Sequence, residues 1–268
     1  MRLNWLLKKS DRAKRWVRKA RFEKAKKINH SSYLPEGIDR VYHIHIRKSA
    51  GTSLNNVFFN QAGLSLQEFW REPVYIKNEM VFVQHQKEPI NAGNYFYASS
   101  HYPIWELNLK PNTFTYCILR NPIDRLVSLY KYYCWVNQVD DKTGYSMDPS
   151  YYVLLAQEHL LNKSFTDFVK ELSSKYLSNQ LFIFDKDLNP EKALERLTEV
   201  NKVYFFDKLD FAITDLTATL NLKPTQLTKE RNFQNVLYQI EPEELIKAQE
   251  LLIAEIEFYE RARLLYLK

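Results

Sequence analysis

The chain has 268 residues, of which 45% are hydrophobic and 26% are charged, with 38 Lys and Arg against 32 Asp and Glu. This composition excludes a mainly disordered or fibrous chain, and two cysteines exclude a disulfide framework. No stretch approaches the roughly 18 apolar residues that a membrane span needs. These features predict a soluble cytoplasmic protein.

The positive charge is concentrated at the start of the chain. The first 30 residues hold 12 basic and two acidic residues, whereas the rest holds 26 basic and 30 acidic residues. Apolar residues recur there at helical spacing, which predicts a basic amphipathic helix that lies on an anionic membrane or packs on its own domain. We assign the arm and its linker to residues 1–37 and the domain to residues 38–268. Because the charge is segregated in the arm, we expect no nucleic-acid partner.

Strand and helix patterns alternate along the body. The predicted strands are Val41–Ile46, Tyr95–Ser99, Thr113–Leu119 and Val203–Phe206. The predicted helices begin near Thr52 and at Pro122, with Asn121 as cap, and span residues 190–200, 207–220 and 243–265. This alternation predicts an α/β fold with a central, mostly parallel sheet flanked by helices. Ligands bind at the carboxyl ends of such strands, so the loops after Ile46, Ser99 and Leu119 are candidate sites.

The loop after the first strand contains the groups that an anion site needs. It reads Arg47-Lys48-Ser49-Ala50-Gly51-Thr52-Ser53-Leu54. Backbone N–H groups at a glycine-containing turn and a helix N-terminus can surround a phosphate, and Lys48 adds positive charge. A Walker A loop places Lys directly after Gly, whereas here Lys48 precedes Gly51. The sequence therefore favours a nucleotide anion bound without a metal ion.

The loop after Leu119 is a second candidate anion site. It reads Arg120-Asn121-Pro122-Ile123-Asp124-Arg125-Leu126-Val127-Ser128. Arg120 lies at the N-terminus of a helix, and Ser128 follows about two turns later, so the two side chains could hold a phosphate together. Taken alone the pattern is a weak signal, because a capped helix beside a charged residue is common.

Together the two loops resemble those of the carbohydrate sulfotransferases that use 3′-phosphoadenosine 5′-phosphosulfate, the heparan and uronyl 2-O-sulfotransferases and their bacterial relatives. Residues 45–54 are similar to that family's His-Ile-Pro-Lys-Thr-Ala-Gly-Thr-Ser-Leu loop for the 5′-phosphosulfate. Residues 119–133 are similar to its Arg-[Asp/Asn]-Pro-x-[Asp/Glu]-Arg-Leu-Val-Ser-x-Tyr stretch for the 3′-phosphate. Arg47 replaces the family's proline, and Ser49 replaces a threonine. Weaker likeness extends to Asn179-Gln180 and to residues 258–262.

The resemblance implies a P-loop-like three-layer fold and transfer of a sulfuryl group to a hydroxyl, with a carbohydrate or glycoconjugate as the expected acceptor and no metal. His101, which follows the second strand, would be the general base, with His85 as the alternative. Lys48 would neutralise the leaving phosphate. The residues implied to bind the nucleotide are Lys48, Ser49, Ala50, Gly51, Thr52 and Ser53 at the 5′ end and Arg120 and Ser128 at the 3′-phosphate.

The sequence allows two interpretations for each of several other residues. His43 and His45 share one face of the first strand, and we expect core histidines there rather than metal ligands. The aromatic residues Tyr130, Tyr132, Tyr133 and Trp135 either pack in the core or stack on a sugar. Arg231 either closes over the nucleotide or is solvated.

Two other functions also stay open. One is a nucleotide-dependent kinase on a similar scaffold, which the absence of a Walker A lysine and of an acidic metal ligand disfavours. The other is a catalytically inactive, membrane-associated nucleotide-binding protein. The presence of both Lys48 and His101 argues against this second alternative.

Overall fold

The computed structural model describes residues 16, 19–28, 31–65, 73–138, 155–224 and 236–267. In these ranges six strands form one sheet in the order β2-β3-β4-β1-β5-β6, and all neighbours are parallel except the β2–β3 hairpin at the edge. The strands are β1 (Arg40–Ile44), β2 (Val74–Lys77), β3 (Met80–Gln84), β4 (Tyr97–Ser100), β5 (Thr113–Leu119) and β6 (Lys202–Phe205).

Helices follow most of the strands. They are α1 (Gly51–Phe59), α2 (Lys87–Ala92), α3 (Pro122–Gln138), α4 (Phe165–Glu171), α5 (Ser174–Leu177), α6 (Asn179–Phe184), α7 (Pro190–Leu197), α8 (Leu209–Thr219), α9 (Pro242–Leu251) and α10 (Ile253–Tyr266).

Alternate residues of β1 face two different layers of helices. Tyr42 and Ile44 belong to a buried apolar cluster that includes Leu181 of α6 and Phe258 of α10. Val41 belongs to a second cluster with residues of α1 and α8. Since successive strand residues point to opposite faces, both faces of the sheet are covered. The predicted α/β fold with a mostly parallel, helix-flanked sheet is confirmed.

Several elements differ from the sequence prediction. The edge hairpin β2–β3 and the short helices α2, α4, α5 and α6 were not expected. The predicted helix over residues 243–265 is divided into α9 and α10. The division falls at Leu252, which is fully buried and has the non-helical backbone angles φ −102° and ψ 9°. Apolar residues continue on both sides of Leu252, so the spacing of the sequence does not reveal the break.

The described part of the N-terminal arm packs on the body. Residues 19–25 are helical, and the fully buried Ala25 joins the cluster of Tyr42 and Ile44, with Ile28 packed against it. Most of the predicted amphipathic helix lies outside the described residues. None of the described helices combines the length and apolar character of a membrane span.

Candidate active site

The carboxyl ends of three neighbouring strands bring the predicted site loops to one edge of the sheet. Strand β1 lies between β4 and β5, and its last residue, Ile44, pairs with Ser100 and with Cys117. His101 directly follows β4, Lys48 lies four residues after β1, and Arg120 directly follows β5. The sheet therefore gathers residues that are far apart in the sequence, as expected for this fold.

The loop between β1 and α1 presents backbone donors. Lys48 and Ala50 adopt left-handed conformations, with φ values of 66° and 59°, and α1 begins directly after them at Gly51. Ala50 occupies the N-cap position and makes no side-chain cap. The N–H groups of Gly51, Thr52 and Ser53 therefore have no intrahelical acceptor, and such groups bind anions well.

Gly51 is required by the close approach of an imidazole ring. A Cβ atom at this position would lie 1.6 Å from Nε2 of His45 and within 2.3 Å of two further ring atoms. Any side chain at residue 51 would therefore displace His45 or the first turn of α1. The sequence predicted a core histidine at this position, and the ring of His45 is half-buried between the sheet and the first turn of α1.

Two buried polar atoms of the predicted nucleotide site have no hydrogen-bond partner within the described residues. They are Oγ of Ser49, whose residue is 1% exposed, and Nε of Arg120. Buried polar atoms are nearly always paired, so an unpaired one calls for an explanation. Because one atom lies in each anion loop, both fit a bound nucleotide with two phosphate groups.

Arg120 connects the two loops. Its Nη1 donates a hydrogen bond of 3.0 Å to the carbonyl oxygen of Lys48, and its guanidinium lies 4.1 Å from the centroid of the Phe206 ring. Asn121 accepts hydrogen bonds from the N–H groups of Ile123 at 3.0 Å and Asp124 at 3.2 Å, which confirms the predicted helix cap. Because this cap occupies two backbone donors of α3, those N–H groups are not open to a ligand, and the side chain of Arg120 is the donor beside them. Ser128 is half-buried on the second turn of α3.

His101 is held in one tautomer by the neighbouring loop. Its Nδ1 lies 2.6 Å from the carbonyl oxygen of His45, so Nδ1 carries the proton and Nε2 is the basic atom. Burial lowers the pKa of His101 well below its usual range, and the nearby Arg47, His45 and His85 lower it further. The ring is therefore neutral near pH 7, and Nε2 keeps an unprotonated lone pair.

The other histidines of the site have different roles in the structure. His85 accepts the backbone N–H of His101 at 3.3 Å, and burial, with the charge of Arg47, lowers the pKa of His85 to about 4. His43 is 1% exposed and lies 3.1 Å from the hydroxyl of Tyr97, and burial lowers its pKa to about 3. His43 is a hydrogen-bonded core residue, as predicted. The described residues contain no group of three or more potential metal ligands.

The aromatic residues of α3 separate into two groups. Tyr130 and Tyr133 are buried and contact Phe168, so these two residues pack in the core. Tyr132 and Trp135 are half-buried, and their rings stack at 5.9 Å. The ammonium of Lys48 lies 4.8 Å from the centroid of the Tyr132 ring. The stacked pair is therefore next to the nucleotide loop. Arg231 lies outside the described residues.

The amide side chains of α6 are site residues that the sequence did not assign to a role. Asn179 accepts the backbone N–H of Arg47 at 3.0 Å, and Gln180 accepts that of Arg120 at 2.7 Å. Each amide thus holds the start of one anion loop. The weak family likeness at Asn179-Gln180 was the only sign of these residues in the sequence. It does not indicate which groups the two amides bind.

Two loops with groups suited to anion binding, beside a neutral histidine at the carboxyl edge of a parallel sheet, are typical of a nucleotide-dependent group-transfer enzyme with an α/β fold. Residues 33–237 match the model of the sulfotransferase family, and the chain therefore belongs to that family. It is an enzyme of the sulfotransferase class, as the motifs predicted.

Two further comparisons describe the similarity of the chain to individual proteins. No curated protein matches it. Among solved structures it is similar to the crystal structure of mouse sulfotransferase SULT7A1 complexed with PAP, with 13% identity and a TM-score of 0.45. That similarity covers 88% of this chain and 90% of the mouse chain.

Proposed function

We propose that the enzyme transfers a sulfuryl group from 3′-phosphoadenosine 5′-phosphosulfate to a hydroxyl of a carbohydrate or glycoconjugate. The observation that carries the proposal is the convergence of Lys48, His101 and Arg120 at one sheet edge. Two hydrogen bonds join them: Arg120 to the carbonyl of Lys48, and His101 to the carbonyl at the start of the same loop. Family membership supplies the class of the transferred group.

The nucleotide is proposed to bind along both loops. Lys48, Ser49, Ala50, Gly51, Thr52 and Ser53 surround the 5′ end, where the N-terminal N–H groups of α1 are donors. Arg120 and Ser128 bind the 3′-phosphate, which accepts a charge-assisted hydrogen bond from the guanidinium. The unpaired atoms Ser49 Oγ and Arg120 Nε support this placement.

His101 and Lys48 carry the proposed chemistry, and the nucleotide supplies an activated sulfuryl group. Nε2 of His101 takes the proton of the acceptor hydroxyl as the acceptor oxygen forms its bond to sulfur. The bond between sulfur and the bridging oxygen breaks, and its electrons stay on the leaving phosphate. The ammonium of Lys48 stabilises that charge. No described contact of these residues requires a metal ion.

A carbohydrate acceptor is supported by the stacked rings of Tyr132 and Trp135. Sugars present flat C–H faces that pack on aromatic rings, and these half-buried rings lie beside Lys48. The motif likeness to heparan and uronyl 2-O-sulfotransferases of the bacterial type points to the same acceptor class.

The test compares His101→Ala with His159→Ala, which replaces an exposed histidine. Calorimetry with 3′-phosphoadenosine 5′-phosphate in the presence of a chelator should show binding by both variants. Transfer of labelled sulfate to a panel of glycans, glycolipids and phenols should fall about 10²- to 10⁴-fold in His101→Ala alone. If His101→Ala transfers sulfate at the wild-type rate, His101 is not the base, and His85 becomes the candidate. Modification of phenols without glycans would exclude the carbohydrate acceptor, and binding that requires magnesium would favour the kinase alternative.

We also propose that the arm attaches this cytoplasmic enzyme peripherally to anionic membranes. The first 30 residues carry 12 basic residues, while Ala25 and Ile28 already pack on the domain. Deleting residues 2–15 should therefore preserve the fold and reduce sedimentation with phosphatidylserine vesicles. Added salt should weaken sedimentation of the intact chain, since it screens exposed charges. Equal sedimentation of the two chains would contradict membrane binding.

A further inference from the structure

A buried amide holds the residue that starts the second anion loop. The side chain of Gln180 is fully buried, and its Oε1 accepts the backbone N–H of Arg120 at 2.7 Å. Its Nε2 donates to the backbone carbonyl of the same residue at 2.8 Å. Strand β5 ends at Leu119. Gln180 thus continues the pairing of the strand by one residue and fixes the backbone of Arg120 from both sides.

A buried ion pair holds this amide in turn. Nε2 of Gln180 lies 3.1 Å from Oε1 of Glu255, which also accepts from Nε of Arg125 at 2.9 Å. Both members of the ion pair have completely buried side chains. Arg125 also donates to the carbonyls of Tyr176 and Leu177. The network therefore joins the second anion loop, α3, the α5–α6 segment and α10.

Stability alone does not account for such a network. Removing two charges from water is costly, and replacing a buried ion pair with apolar residues is often neutral or stabilising. Gln180 also makes three polar contacts in the interior, and the loss of any partner would leave a buried polar group unpaired. What the network does fix is a geometry, because each of its bonds restricts the backbone from which the Arg120 side chain extends.

We propose that Gln180, held by Glu255 and Arg125, is a positioning residue for recognition of the 3′-phosphate. It sets the backbone of Arg120 so that the guanidinium reaches between Phe206 and the carbonyl of Lys48, at 4.1 Å and 3.0 Å respectively. Long side chains lose much rotamer freedom on binding, and a side chain that is already held in place before the ligand binds loses less of it. The inference rests on the proposed function, since it assumes that Arg120 contacts the 3′-phosphate.

The ratio of two ligand affinities distinguishes positioning from a structural role. 3′-Phosphoadenosine 5′-phosphate and 5′-AMP share the adenosine and the 5′-phosphate and differ in the 3′-phosphate. A general loosening of the domain would weaken both ligands together. Misplacement of Arg120 would weaken the bisphosphate and leave 5′-AMP unchanged.

The experiment measures both dissociation constants by calorimetry for the full-length chain and three variants. Gln180→Leu removes the amide at similar volume, and Glu255→Gln keeps the acceptor oxygen but removes the charge. Arg261→Met is the control, because Arg261 lies on the same helix as Glu255 and pairs with Glu191 at the surface. Thermal unfolding of each variant verifies that it is folded.

We expect Gln180→Leu to lower the preference for the bisphosphate about tenfold and Glu255→Gln about threefold, with 5′-AMP affinity within about twofold of wild type. Arg261→Met should match wild type. Glu255→Gln decides the question if Gln180→Leu does not fold. An unchanged ratio in the folded variants, or equal loss of both ligands, would overturn the positioning role. A wild-type chain without preference for the bisphosphate would instead overturn the proposed 3′-phosphate site itself.

Discussion

The two anion loops follow neighbouring strands and precede helices, yet they use different chemistry. The β1–α1 loop has an alanine at the N-cap position, so the backbone N–H groups at the start of α1 are available to a ligand. The β5–α3 loop has Asn121 at this position, and Asn121 occupies two of those donors itself. In the proposed nucleotide site, the first loop would therefore bind through its backbone, and the second would bind through its side chains.

The difference suggests a division of labour in recognition. A backbone cradle binds any terminal phosphate group and depends mainly on the path of the chain. A side-chain site contributes a charge with a defined direction, and it needs support from the core to hold that direction. In this enzyme the 5′ end would provide affinity shared by many adenosine nucleotides, and the 3′ site would provide the selectivity.

Gly51→Ala should have the largest effect on nucleotide affinity, because it distorts the loop whose backbone is proposed to bind the 5′ end. The new Cβ would lie 1.6 Å from Nε2 of His45, so either the His45 ring or the first turn of α1 must shift. Binding of both 3′-phosphoadenosine 5′-phosphate and 5′-AMP should fall by at least about a hundredfold, close to the loss of a phosphate site. Calorimetry and thermal unfolding measure the two consequences.

The double variant His45→Ala, Gly51→Ala provides the matched control for this prediction. It removes the imidazole that causes the clash but keeps the carbonyl oxygen that binds His101. Nucleotide binding should be partly restored. Normal binding by the single variant would show that the close approach is not part of the site.

Arg120→Met should have an intermediate effect that is restricted to one ligand. Loss of the guanidinium removes a charge-assisted contact, so the affinity for 3′-phosphoadenosine 5′-phosphate should fall roughly 10- to 100-fold. The affinity for 5′-AMP should stay within about twofold of wild type. If both ligands lose affinity equally, the contrast between the two loops fails, since Arg120 would then support the first loop through Lys48.

Arg47→Met should have the smallest effect, and it concerns the base rather than the nucleotide. Burial lowers the pKa of His101, and the charge of Arg47 lowers it further. Removing the charge should raise this pKa, so the acid limb of kcat/KM should move to higher pH. A pH–rate profile measures the shift. Movement of the limb to lower pH, or no movement, would contradict the electrostatic coupling of Arg47 to His101.

Features that depend on residues close together in the sequence were predictable from it. The strand Thr113–Leu119 has the predicted bounds, and Asn121 caps the next helix as expected. The β2–β3 hairpin was missed for a physical reason. Its two-residue turn, Asn78-Glu79, has positive φ at both positions but contains no glycine, which is the usual signal of such a turn.

The sequence by itself determined the α/β class, the two anion motifs and the sulfotransferase family, because strand–turn–helix units and their loop residues are local in the chain. Only the tertiary structure decided that the His45 ring covers Gly51 and that Gln180, Glu255 and Arg125 hold Arg120. Glu255 is 130 residues from Arg125, and neither side chain type specifies its partner. Pairing over such a distance follows from the packing of α10 against α3 and α6, which no local pattern encodes.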